Sequence, residues 1–306
     1  MYDVIIIGAG PAGLTAALYL ERALKEVLLL EASSYGGQIL TTDKIDNYPG
    51  LPGISGFDYS NLLYNQAKDM GAEFAFEKAI EIKDKGKIKE VITEKNTYKA
   101  KGVIIATGAD NRKLGLENED KLVGKGVSYC ATCDGAFYKK KIVAVNGGGN
   151  TALEEALYLS DIAEKVYLIY RRDEFTKAEK KLVKQIEKKE NIEVIFNTII
   201  TKLNEKGGKL ASINIETKDE EPKTIDINGL FIAVGRVPES ENFAKLVNTD
   251  EAGYIEAAED CSTNVEGIFV AGDNRVKEVR QLTTATADGT VAATNIVKYL
   301  NDKGGK

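Results

Sequence analysis

At 306 residues and 43% hydrophobic, the chain is long enough to bury more than one core of ordinary domain size. Its 41 basic and 47 acidic side chains leave a formal net charge of −6, so there is no broad cationic field for nucleic acid or anionic lipid, and neither is expected as a partner. With no histidine, imidazole-based hydrolysis is excluded; with three cysteines, a closed zinc site lacks ligands and a close pair points to redox chemistry.

The chain opens on a β-branched strand, Asp3 to Ile7. Its apolar stretch is too short for a signal peptide and has no basic lead-in, and no apolar run approaches the roughly 20 residues that cross a bilayer. A cytoplasmic protein without a membrane segment is expected. The strand runs into G-A-G-P-A-G at Gly8 to Gly13, and Leu14, Ala17, Leu18, Leu20 and Leu24 continue as a helix. In such a turn the first glycine permits the bend, the second lets backbone amides reach a pyrophosphate, and the third lets helix pack on strand, with the positive helix end facing the phosphates. Gly8, Gly10, Pro11, Ala12 and Gly13 are therefore candidate nucleotide contacts. The second strand, Val27 to Leu30, ends at Glu31, whose carboxylate would bind ribose hydroxyls and repel a 2′-phosphate, which suits FAD or NAD.

Apolar alternation from Ala79 to Ala100 leads to V-I-I-A-T-G at 103 to 108, a buried-looking strand capped by the small-residue turn Ala106, Thr107 and Gly108. The polar stretch Asp110 to Arg112 is a candidate hinge. Next comes Cys130-Ala131-Thr132-Cys133-Asp134. Two thiols at this spacing can close a small disulfide ring and hold one sulfur as a thiolate, as thiol–disulfide exchange requires. Without histidine, Asp134 is the nearest group able to protonate a leaving thiolate, provided burial raises its pKa. Cys261, in a polar stretch, is expected to be a lone thiol without a role.

The opening plan then recurs. A strand at Ile142 to Val145 is followed by G-G-G-N-T-A at Gly147 to Ala152, a helix to about Ile162 and a strand at Val166 to Ile169. Gly147, Gly149, Asn150 and Thr151 are the matching nucleotide candidates. Tyr170, Arg171 and Arg172 stand where the first copy has Glu31; two guanidiniums there, with Lys177 beyond, favour the 2′-phosphate of NADPH. Lys177 to Lys189 reads as a surface helix with Leu182, Val183 and Ile186 on its apolar side. Alternating apolar residues from Ile192 to Ile227 lead to L-F-I-A-V-G at 230 to 235, and Arg236 to Asn242 is the second candidate hinge. The fold class is α/β, with two Rossmann-like nucleotide-binding modules and a dithiol between their signatures, an arrangement that reads as an electron relay. Periodicity leaves open which module owns the C-terminal segment.

These stretches, with G-G-Q at 36 to 38, D-N-Y-P-G at 46 to 50, R-R-D-E-F at 171 to 175, G-I-F-V-A-G-D at 267 to 273 and Arg280-Gln281, resemble the low-molecular-weight thioredoxin reductases over the whole chain. The resemblance implies two three-layer FAD/NAD(P)-binding domains, the second inserted into the first: an FAD-binding domain of residues 1–112 and 241–306, and an NADPH-binding domain of residues 113–240 carrying the cysteine pair. It implies an NADPH-dependent thioredoxin-disulfide reductase, a flavoprotein homodimer with thioredoxin as protein substrate. Carried over by position, Cys133 lies against the flavin, Cys130 exchanges with thioredoxin and Asp134 is the acid. FAD contacts then extend to Gly36, Gly37, Gln38, Asn47, Gly272, Asp273, Arg280, Gln281 and Leu282.

The chain departs from the family's usual His-Arg-Arg and third Arg in having Tyr170 and Thr176, which narrows the expected margin over NADH. Because nucleotide and dithiol must both reach one flavin while the dithiol must also meet thioredoxin, rotation of the insert about the two hinge stretches is expected. Three other readings remain at this stage: a flavin dithiol oxidase, a reductase fed by ferredoxin, and a redox sensor without turnover.

Overall fold

The β-branched opening forms strand β1 (Tyr2–Ile7), and Pro11, at the first turn of α1 (Pro11–Arg22), presets the helix. The structure is a computed structural model that describes residues 1–42, 44–176 and 178–304. In chain order there follow β2 (Val27–Glu31), α2 (Gly56–Asp69), β3 (Glu73–Phe76), β4 (Ala79–Asp84), β5 (Lys89–Thr93), β6 (Thr97–Ile105) and β7 (Ala109–Asn111). Next are α3 (Glu119–Leu122), β8 (Val127–Ser128), α4 (Ala131–Asp134), β9 (Ile142–Asn146), α5 (Asn150–Ser160), β10 (Lys165–Ile169) and α6 (Lys180–Ile186). The chain continues through β11 (Ile192–Ile195), β12 (Thr198–Lys206), β13 (Lys209–Thr217), β14 (Lys223–Asp226), β15 (Gly229–Ile232), β16 (Arg236–Pro238), β17 (Ile268–Val270) and α7 (Leu282–Gly304).

The chain divides into a larger unit, residues 1–110 and 237–306, and a smaller one, residues 111–236. The seams fall within both polar stretches and slightly upstream of the boundaries that the resemblance implies. At the two crossings, β7 and β16 pair as a two-stranded ribbon.

In the larger unit the strand order is β3-β2-β1-β6-β5-β4, with β17 also on β6. The β1, β2, β3, β6 and β17 pairings are parallel, whereas β4, β5 and the first half of β6 form an antiparallel meander. Successive side chains of a strand face opposite ways, so Val4 and Ile6 meet Leu14, Ala17 and Leu20 of α1 and Ala292 and Ile296 of α7. Ile5 and Ile7 instead meet Ile82 and Val91 of the meander and Phe243 and Ile255. The result is three layers: helices, parallel sheet and meander.

The smaller unit repeats this plan. Its parallel sheet has the order β11-β10-β9-β15-β8. Val143 and Val145 pack on Ala152, Leu153, Ala156 and Leu159 of α5, while Ala144, Leu230 and Ile232 pack on Leu203, Ile213 and Ile215 of the β12-β13-β14 meander. Both sheets are thus buried on two faces, as their unbroken apolar strands require. The helix expected over Lys177 to Lys189 is shorter, Lys180–Ile186, because Glu179 has extended backbone and serves as its cap. No described helix is both long and apolar enough to cross a membrane.

Candidate active site

Cys130 and Cys133 are joined as a disulfide, with their Cα atoms 5.3 Å apart. Cys130 is extended and caps α4, so its carbonyl accepts from the amides of Cys133 and Asp134 at 3.3 and 3.2 Å. Cys130 is half-buried and Cys133 exposed. A line of hydrogen bonds leads from the ring to the neighbouring carboxyl: the Cys130 amide donates to Ser128 Oγ at 3.1 Å, and that hydroxyl donates to Asp134 Oδ2 at 2.6 Å. Burial pushes the Asp134 carboxyl above the usual carboxylate range, with the Ser128 bond acting the other way. This is the condition that the sequence argument attached to an acid at this position.

A second carboxyl, from α5, reaches the start of this short helix. Glu155 Oε1 accepts from the Ala131 amide at 3.2 Å, while its Oε2 is buried without a hydrogen-bond partner. Burial raises Glu155 to about 7, opposed by the Ala131 amide and Arg236 and assisted by Glu154. Sequence reasoning missed both Ser128 and Glu155. The signal for Glu155 was available: it lies among Ala152, Ala156 and Leu159 on the buried stripe of α5, where a carboxylate is out of place.

Both glycine fingerprints form the same turn. Gly8 has φ +106° and lies against the Ala106 carbonyl; Gly147 has φ +154° and lies against the Ala233 carbonyl, so a side chain at either would collide with backbone. The helices that follow are capped by Gly10 and Gly149 without a side-chain partner, and neither has an acidic residue in its first turn. Their first amides are open to an anion.

The strand ends separate the two. Glu31 accepts from the amides of Ala9 at 2.8 Å and Ser33 at 2.9 Å, which fixes a carboxylate beside the first turn. At the second turn the Tyr170 ring packs against Gly148 and stacks on Phe175, 5.6 Å between centroids, and Phe175 meets Phe196. Arg171 and Arg172 beyond it are exposed, and Arg172 Nη1 reaches Thr176 Oγ1 at 3.4 Å. Asn150 is engaged with Glu179, whose amide donates to Asn150 Oδ1 at 2.8 Å; Thr151 is exposed. Lys177 lies outside the described residues.

The description "pyridine nucleotide-disulphide oxidoreductase" matches residues 2–289. The chain belongs to that family. A thioredoxin reductase of Listeria innocua serovar 6a is 45% identical over 303 residues, covering 99% of this chain and 95% of its own. One from Listeria monocytogenes serovar 1/2a is 44% identical over the same shares. A crystal structure of thioredoxin reductase from Streptococcus pyogenes has a TM-score of 0.94 at 38% identity and covers 99% of each chain.

In this family member the remaining candidates lie in the larger unit. The Gly36 amide donates to the Ala9 carbonyl at 2.7 Å, and Gly37 lies against Gly10. Gln38 donates to the Ala109 carbonyl and to Asp110 Oδ1. Asn47 donates to Gln281 Oε1 at 3.2 Å, just ahead of Leu282, where α7 begins. Arg280 donates to the Asp273 carbonyl at 3.3 Å and covers the Tyr254 ring at 4.0 Å. Asn274 is fully buried; its amide donates to the Ile105 carbonyl and to Thr107 Oγ1, tying the Ala106–Gly108 turn to the Gly272–Asp273 turn. Its Oδ1 is buried without a partner. A glycine turn open to an anion, a carboxylate fixed at the neighbouring strand end and an orphaned buried acceptor fit a flavin dinucleotide in the larger unit. The exposed arginines beside a second open turn fit a phosphorylated pyridine nucleotide in the smaller one.

Cys261 is a free thiol, as expected, and the structure adds where it lies. Although its sequence neighbours are polar, its side chain is fully buried in the larger unit's helix-side core, and burial, with Asp288 adding, pushes it up to about 12. It is inert at neutral pH because its thiolate has no solvation.

Proposed function

We propose that the protein is an NADPH-dependent thioredoxin reductase, with FAD held by the larger unit and the pyridine nucleotide by the smaller. The observation that carries this reading is the Cys130–Cys133 disulfide, hydrogen-bonded through Ser128 to a carboxyl of raised pKa, in a unit that has its own dinucleotide turn. Gly8 to Gly13, Glu31, Gly36 to Gln38, Asn47, Ala106 to Gly108, Gly272, Asp273 and Arg280 to Leu282 hold FAD. Gly147, Gly149, Asn150, Thr151, Arg171, Arg172 and Lys177 hold NADPH. Bound FAD supplies the two-electron carrier between reduced pyridine nucleotide and disulfide.

The residues of the chain then act in sequence. Reduction breaks the Cys130–Cys133 bond and leaves Cys133 on the flavin side and Cys130 for the protein substrate. The Cys130 thiolate attacks one sulfur of the thioredoxin disulfide, forming a mixed disulfide, and the departing thioredoxin thiolate takes the proton held by Asp134. Cys133 gives up its thiol proton and attacks the Cys130 sulfur; the second thioredoxin sulfur leaves and takes up that proton, and the internal disulfide is restored. Thioredoxin's potential, roughly −270 mV, is within reach of a pyridine nucleotide.

A homodimer and a cytoplasmic setting complete the reading. The larger unit has a groove lined by Leu18, Tyr19, Tyr59 and Leu63, with Phe57 and Leu62 exposed on α2, a surface suited to a second copy. A redox pair with one further buried thiol suits a reducing compartment. Anaerobic mixing of the yellow protein with NADPH bleaches the flavin, and oxidised thioredoxin restores the colour; a bleached enzyme that thioredoxin leaves bleached overturns the proposal.

A further inference from the structure

We propose that Asp288 is a positioning residue for the flavin-bearing half of FAD, acting through the Gly272–Asp273 turn and Lys277. The inference rests on FAD occupying the larger unit with Asp273 as one of its contacts.

Asp288 is the seventh residue of α7, and only 7% of it is exposed. Its carboxylate takes four donors. Arg275 binds it through both oxygens, Nε to Oδ2 and Nη2 to Oδ1 at 3.0 Å each. Lys277 Nζ reaches Oδ2 at 3.0 Å and the Gly272 amide donates to the same oxygen at 3.1 Å. Lys277 also pairs with Asp273 Oδ1 at 3.3 Å, so one ammonium joins the carboxylate that would touch the cofactor to the one that holds the turn. Burial works against the charge of Asp288, but Arg275 and Lys277 keep the carboxyl below its ordinary range. Two cations balance two carboxylates in a site shielded from water, so removing one charge leaves the others uncompensated.

Packing places this hub at the seam of the proposed cofactor site. Gly289, the next residue, lets α7 lie directly against the Ala12 carbonyl of the first fingerprint, and Gly272 lies close to the Ala12 side chain. Asp288 therefore locks the 272–277 turn to the same helix pair that carries the first glycine turn.

Strand order says which half of the dinucleotide this turn serves. Glu31 ends β2 on one side of β1; the Ala106 and Gly272 turns follow β6 and β17 on the other. At about 4.8 Å between strands, β2 and β17 are roughly 14 Å apart. A dinucleotide whose pyrophosphate sits on the Gly8–Gly13 turn, with its adenosine ribose on Glu31, extends its other half across β6 toward Gly272 and Asp273. Among the described residues, the hydrogen-bond partners of the Asp288 carboxylate all lie in the 272–277 segment.

FAD and ADP therefore separate the role from general stability. Both are titrated calorimetrically into the full chain stripped of flavin, as wild type, Asp288→Asn and Asp288→Glu. FAD binding by Asp288→Asn is expected to weaken about 10- to 100-fold while ADP stays within about threefold, with Asp288→Glu recovering most of the loss. Unchanged FAD affinity overturns the proposal, as does an equal loss for FAD and ADP, which marks a structural role only. Should Asp288→Asn not fold, Lys277→Gln, which removes only the shared ammonium, is expected to lower FAD affinity about tenfold with ADP unmoved; equal effects or none overturn the proposal there too. A wild type that binds neither ligand sinks the FAD assignment itself, a different result from any of these.

Discussion

The two units put one scaffold to different uses, and the difference lies in what is attached after the same glycine turn. In the larger unit the strand end is a carboxylate already tied to the turn by the Ala9 and Ser33 amides, and α7 packs behind it with a neutralised cluster of buried charge. Under the proposed function this is the site that keeps its cofactor. In the smaller unit the strand end is an aromatic stack with exposed arginines, and two helices bring together a disulfide and two carboxyls short of solvation, Asp134 on α4 and Glu155 on α5. That is a site for exchange. The buried carboxylates state the contrast directly, since Asp288 is held below its ordinary range by two cations while Asp134 and Glu155 are pushed above theirs by burial.

The comparison can be broken first at the dithiol. Asp134→Asn is expected to slow thioredoxin reduction by about 10²- to 10⁴-fold while NADPH still bleaches the flavin at its normal rate, because only the proton donor is lost. Equal loss in both half-reactions would show that Asp134 shapes the whole unit instead. The strand ends come next. Replacing Arg171 and Arg172 together by Ala is expected to cut the preference for NADPH over NADH by about 10- to 100-fold, read as the ratio of kcat/KM values, with NADH use little changed. A preserved ratio would move the 2′-phosphate contact elsewhere.

The smallest effect concerns pH. A carboxyl whose folded pKa of about 7 exceeds its ordinary 4.5 binds a proton more tightly when folded, so between those values stability falls as pH rises. Glu155→Gln keeps the acceptor for Ala131 and removes the titration; it is expected to flatten this fall by on the order of 1–3 kcal/mol, read by denaturant unfolding at pH 5 and pH 8. Asp288 has the opposite sign: its contribution is present above the ordinary carboxylate pKa and is lost as pH drops through the lowered one. A wild-type curve that rises from pH 5 to pH 8 in the smaller unit would contradict the Glu155 assignment.

Where a position must satisfy a local backbone rule, sequence alone reveals it. Gly8 and Gly147 are legible because the turn demands positive φ and close approach, and the apolar strands around them because both sheet faces are covered. The cysteine pair is legible because its chemistry depends on a fixed spacing. Contacts made across the fold leave a weaker trace. Glu155 reaches Ala131 from 24 residues away, and Asp288 meets Gly272 through a helix packed behind the turn. Cys261 is legible as a lone thiol but not as a buried one, because its neighbours Asp260 and Ser262 are polar while its backbone, at φ +65°, turns the side chain into the core. The Lys177 to Lys189 run has helical spacing throughout, but extended backbone at Glu179 delays the helix to Lys180, a choice that the spacing alone does not encode.

The central claim is that one holoenzyme stores two electron pairs in series, one on the flavin and one on Cys130–Cys133. Anaerobic titration with NADPH, followed at the flavin absorbance, tests it most directly. The account predicts that full bleaching takes about two equivalents per chain in the wild type and about one in Cys133→Ser, because each two-electron carrier takes one hydride equivalent. The same end point in both proteins would contradict it.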